Sequence, residues 1–179
     1  MAKVMAWHFT DGRKLRDGRK LVAGRTYRLP KGVEPVMCER GFHGSRRIVD
    51  ALAYQLGTTL SRVELTGTVL EGGNKLCASE RRVLWVLDCD KLLRLFACAC
   101  AERTLKRERK AGREPDARSW EAVRVSRLYA EGKATAQELD AAWSAAWSAA
   151  WSAAWSAAGS AEVAWQERWL QRTVEKARR

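Results

Sequence analysis

The chain has 179 residues, enough for one good core or two small ones, and carries 33 basic against 21 acidic side chains, a net charge of +12. Such a balance attracts nucleic acid, an acidic protein partner or an anionic surface, and bears on partners and solubility rather than on fold. The five cysteines, Cys38, Cys77, Cys89, Cys98 and Cys100, are an odd number without framework spacing, which argues against a disulfide scaffold and predicts free thiols in a reducing compartment.

The first residues hold no apolar core of secretory length, so the expected location is cytoplasmic. The uncharged segment from Ala141 to Ala161 is long enough for a bilayer. Its alanine, serine and tryptophan are only weakly favoured in lipid, and both flanks are densely charged, so no membrane association is expected.

Composition changes near Asp88. Before it, Gly, Pro and β-branched residues punctuate short runs; after it, helix formers dominate. The expected architecture is α+β: a small antiparallel β-rich domain over 1–89, then a helical domain over 90–179 containing the repeat at 143–158. Met5–Phe9 reads as a short strand, with turns and hairpins at Asp11-Gly12 and Asp17-Gly18. Val36–Cys38 reads as another strand, and the spacing of Val49, Leu52, Ala53 and Leu56 predicts a helix over Ile48–Leu56.

The clearest strand runs from Arg62 to Leu70, where Val63, Leu65 and Val69 alternate with polar residues. After the turn Gly72-Gly73-Asn74, a central strand holds Val83, Trp85 and Leu87. Asp90 is a candidate cap for a helix that continues to about Lys110 with Leu92, Leu95, Phe96 and Ala99 on one side. Gly112 and Pro115 end it. Asp116 then starts a second helix carrying Trp120, Val123, Val125 and Leu128. Thr135 and Glu138 form a capping box that starts a long third helix, with Gly159 as its one weak point.

That third helix carries Trp-Ser-Ala-Ala four times without a variant, from Trp143 to Ala158. A four-residue step advances about 400° on an α-helix, so Trp143, Trp147, Trp151 and Trp155 drift only about 40° per repeat and make one stripe. Leu139 extends it backwards, and Trp165 and Trp169 resume it. Burying one indole removes about 150–250 Å² from water, several kcal/mol each, so the row demands cover. The long helix outruns the two before it, so the row must pack on the β part, fold back at Gly159 or meet another copy of the chain. The leading expectation is a second copy, and the alternative is that the stripe is the ordinary core of an intramolecular bundle. A head-to-tail contact would give an open-ended filament.

Two resemblances enter here. Gly41-Phe42-His43-Gly44-Ser45, then Asp50-Ala51-Leu52 with Tyr54, then Arg62-Val63-Glu64 through Gly67, Lys75 and Leu84-Trp85, resemble a small domain of unknown function common in phage and prophage proteins. Its mark is Gly-Phe/Leu-His-Ala/Phe-Ser/Cys, from which position 44 departs in being Gly. Leu93 to Cys98, Cys100 to Arg103, Ser126 to Gly132 and the Ala/Trp array resemble an alanine-rich helical family described as bacterial immunity proteins, which implies binding and blocking a toxin. The basic charge fits poorly with inhibition of a basic nuclease toxin.

Chemistry has few candidates. His43 and Ser45 lie in a Gly-flanked turn beside Arg46 and Arg47, where His43 serves either a site or a hydrogen bond across the turn. Cys38, His43 and His8 show no paired metal-ligand spacing, so no metal, cofactor or catalytic residue is assigned. Residues 1 to 47 hold twelve Lys/Arg against four Asp/Glu, and Arg103 to Arg118 hold seven against three, which suits non-specific nucleic-acid contact. The leading expectation is a non-enzymatic interaction protein that self-assembles into a homo-oligomer through its Trp stripe. The alternatives are a toxin-neutralising binder and a basic nucleic-acid-associated phage protein.

Overall fold

The computed structural model describes residues 3–144 and 160–179. Most of the tetrapeptide array, with Trp147, Trp151, Trp155 and Gly159, lies outside them. The fold is α+β: an antiparallel sheet in the N-terminal half and helices in the C-terminal half, ending in a long helix. Two compact units divide the chain, Met1–Cys89 with Glu175–Arg179, and Asp90–Val174.

The sheet unit contains β1 (Val4–Thr10), β2 (Thr26–Arg28), β3 (Phe42–Gly44), a short helix α1 (Ile48–Leu52), β4 (Thr59–Gly72) and β5 (Lys75–Asp88). The strand order is β1-β4-β5-β2, with β3 also on β5. β4 and β5 form a hairpin across Gly73-Asn74, and each is 14 residues long. Val63 and Leu65, two of the three apolar members of the alternating run, have no exposed surface and join Ala6, Leu76, Ala78 and Val83 in the core, against which the third, Val69, packs half-buried. A bulge interrupts the pairing between Thr66 and Val69. There Gly67 takes a φ of +73°, and a Cβ on it would lie 2.1 Å from the Ser79 hydroxyl that accepts from the Thr68 N–H.

Just beyond β3, Trp7 and Ser45 exchange both main-chain hydrogen bonds, at 2.8 and 2.9 Å. Because β1 also pairs with β4, and β3 with β5, this link closes four strands into a small ring. Two histidines, on β1 and β3, are brought together by that closure.

Several expected elements differ. β1 pairs not with the segment that follows it but with β4, so the local hairpin is confined to the tight turn at Asp17-Gly18, where Leu15 N–H donates to Arg19. Val36–Cys38 forms no strand: Val36 meets Arg40 in one isolated bridge, and Cys38 between them has a φ of 65°, outside the strand region. The helix begun at Ile48 ends at Leu52, leaving Leu56 74% exposed, because the chain must turn to enter β4. Asp90 is the first residue of its helix rather than a preceding cap, and it accepts from the Arg94 guanidinium one turn on.

In the helical unit, α2 (Asp90–Lys110) buries Leu92, Phe96, Cys98 and Leu105, and α3 (Ala117–Ala130) buries Val125. The Asp116 carboxylate caps α3 by accepting from the Arg118 N–H at 2.8 Å. α4, helical over residues 136–144, opens with the capping box read from the sequence: Thr135 N–H donates to the Glu138 carboxylate at 2.7 Å, and Glu138 N–H to the Thr135 hydroxyl at 3.2 Å. α5 (Ser160–Arg178) follows, with Leu170 and Val174 fully covered. Among the described residues, no helix is long and apolar enough to cross a membrane.

Candidate functional site

The sheet unit opens into a cleft of about 920 Å³ between β1, β3, the Asp17-Gly18 turn and the residues after α1. Six basic side chains line it, Lys14, Arg16, Arg19, Arg40, Lys75 and Arg81, against Asp11, Asp17 and Glu39. The apolar part of the wall comes from Trp7, Leu29, Phe42 and Tyr54.

Arg81 is the residue that sequence reading missed. Arg81-Arg82 looks like the polar entry to a strand, but the register sets Arg81 beside Leu65 on β4 and Tyr27 on β2, both core residues. Directly paired residues share a face of the sheet, so Arg81 points where they point. It is 3% exposed, its guanidinium stands 5.1 Å from the Phe42 ring centroid, and its Nε has no hydrogen-bond partner. Burial pulls its pKa down to about 10, which leaves it charged at neutral pH. The signal available in the sequence was that strand alternation forces one of two adjacent arginines inward.

The nearby acid is already engaged. Asp17 accepts from Arg19 through Nε at 2.8 Å, the terminal nitrogen at 2.6 Å and the main chain at 3.1 Å. This bidentate pair, with Leu15 and Leu21 seated in the core and the Tyr27 hydroxyl bonded to Lys20 and Val22, holds the turn in place.

Both histidines belong to this cleft. His43 is partly buried and accepts from the Cys38 main-chain N–H through Nε2 at 3.0 Å, a bond across the turn. A nitrogen that accepts carries no proton, so the neutral ring keeps its proton on Nδ1. Burial, then the charges of Lys75, Arg81 and Arg16, hold His43 below the usual imidazole range. His8, on β1, is pushed further down by burial, Arg81 and His43. Gly44 lets β3 approach this closely: a Cβ there would lie 2.9 Å from Ala6 Cβ and 3.2 Å from the Trp7 carbonyl oxygen. Ser45 is buried, and its main chain serves the Trp7 link.

The cysteines divide by environment. Burial raises the thiol pKa of Cys77, Cys98, Cys89 and Cys100, the last two to about 12, so all four stay protonated. Cys38 is exposed, with Lys75 Nζ 3.5 Å from its sulfur. Among the described residues, no three His, Cys, Asp or Glu side chains converge as a metal site.

The indole row is only partly described. Leu139 is half-buried and Trp143 is 52% exposed, its indole N–H donating to the Ser126 hydroxyl of α3 at 2.9 Å. Trp165 and Trp169 are half-buried within the helical unit: Arg103 lies over Trp165 at 4.7 Å, and Trp169 tilts against Phe96 at 5.4 Å. These two rings also border a groove of about 580 Å³ whose basic wall is Arg103, Lys106, Arg107, Lys110 and Arg127. Glu162, nearly fully buried, pairs with both Arg103 and Arg107 there.

Comparison with known protein families, curated proteins and solved structures finds no match to the chain.

Proposed function

We propose that the chain is a non-enzymatic association protein, meeting further copies of itself through the indole row of the tetrapeptide array. The observation that carries this reading is Trp143, more than half exposed at the first position of the array although Ser126 already satisfies its N–H. A large apolar ring with its one polar atom paired has little reason to stay in water. In a helical continuation, the four-residue step repeats the bearing of Trp143 with a drift of about 40° per tetrad. Trp165 and Trp169 already have partners on α2, which centres the association on Trp143, Trp147, Trp151 and Trp155.

Light scattering on the purified chain tests it. The expected mass is a multiple of 20.2 kDa, reduced by Trp147→Ala with Trp151→Ala. A monomer at every concentration overturns the reading.

The groove beside Trp165 favours a second reading, contact with nucleic-acid phosphates. Arg103, Lys106, Arg107 and Lys110 recur on one face of α2 beside two indoles, and although Glu162 and Glu102 pair with the first three, the wall keeps an excess of positive charge. A gel shift at two salt concentrations separates this from self-association: retardation at low salt that disappears at high salt supports it, and no retardation at low salt ends it.

A further inference from the structure

Arg81 presents an unusual condition in the sheet unit: a charged guanidinium that is almost wholly buried, with an unpartnered Nε and no ion pair among the described residues. Asp17, the acid closest in effect, is held by Arg19 through three hydrogen bonds. A buried charge without a counter-charge is costly to keep, and an anion arriving from solvent removes that cost. We propose that the cleft binds a small organic phosphate, its phosphate group seated against Arg81 and Lys75 with His43 as a neutral hydrogen-bond donor.

Three features select this class of ligand. Three donors share the cleft: Lys75 at the start of β5 and Arg81 at its middle both act on His43 of the neighbouring β3. A phosphate has more acceptor oxygens than a carboxylate, so it can take a guanidinium fork and still receive an ammonium and an imidazole N–H. His43 is arranged to give rather than receive, since Cys38 N–H occupies Nε2 and leaves Nδ1–H as the free donor. The volume, about 920 Å³, lies in the range of about 300–1,000 Å³ usual for organic ligands and far exceeds the needs of inorganic phosphate. Trp7, Leu29 and Tyr54 supply an apolar wall for the rest of the molecule.

Titration calorimetry of the full chain with adenosine 5′-monophosphate, ribose 5-phosphate, inorganic phosphate, adenosine and gluconate tests the proposal. At least one ester should bind tenfold or more tightly than inorganic phosphate, adenosine and gluconate. Arg81→Met should weaken that ester at least tenfold, and Lys75→Met at least threefold. Arg81→Met removes the uncompensated charge, so without ligand it should melt at the same temperature as the parent or higher, which separates lost binding from lost folding. Lys75 is partly exposed and its replacement leaves the core untouched. Absence of binding by both esters, equal binding of adenosine or gluconate, or unchanged ester affinity in both variants would overturn the proposal.

Discussion

The main-chain N–H of Cys38 donates to Nε2 of His43 at 3.0 Å, tying a turn whose Cys38 sits at a φ of 65° to the short strand β3. A left-handed conformation costs an L-residue roughly 1–2 kcal/mol, so the bond helps to hold a backbone that would otherwise relax. His43→Ala removes the acceptor from a solvent-accessible donor. The expected loss is about 1 kcal/mol in urea unfolding, with faster reaction of Cys38 toward a thiol reagent. An unchanged reaction rate would mean that the turn holds without the imidazole.

Stability should fall as the solution is acidified from about pH 7 toward 5. Unfolded imidazoles titrate near 6.5, while both histidines are held lower in the fold, chiefly by burial, then His8 by Arg81 and His43, and His43 by Lys75, Arg81 and Arg16. Between the folded and unfolded values the unfolded chain binds more protons, so stability is full above the unfolded pKa and is lost as pH falls. Melting temperature measured across this window should decline in the parent, and His8→Asn should flatten the decline. Carboxylates such as Asp116, lowered to about 2, contribute only in more acidic solution. A parent curve that is level across the window would show that the imidazoles charge without penalty.

Gly44→Ala should destabilise the sheet unit by about 1–3 kcal/mol, the usual effect of an extra methyl forced into a closed space. The new Cβ meets Ala6 Cβ at 2.9 Å and the Trp7 carbonyl at 3.2 Å, and neither is the end of a flexible side chain. β1 would have to move away from β3, which also strains the Trp7–Ser45 link. Chemical denaturation of the variant measures the loss.

The legible parts of the fold are those whose cause is local. Alternation of Val63, Leu65 and Val69 with polar neighbours marks β4, because a strand shows its two faces in turn; the capping box at Thr135 and the Asp116 cap are local hydrogen bonds spanning two or three residues. Val36–Cys38 misled for a physical reason: an apolar triplet satisfies strand propensity, yet Cys38 lies in a turn made by the Val36–Arg40 bridge.

The division between a β-rich half and a helical half, the four-residue periodicity of the indoles and the excess of positive charge all follow from residue order and type alone. That Arg81 faces inward beside Leu65 and Tyr27, and that His8 and His43 share one cleft, emerges from the folded chain and not from residue order. Those relationships come from strand register and from the Trp7–Ser45 closure, which join residues 38 positions apart in the chain. Periodicity describes which face a residue takes within its own element, and strand pairing over such distances sets which faces meet.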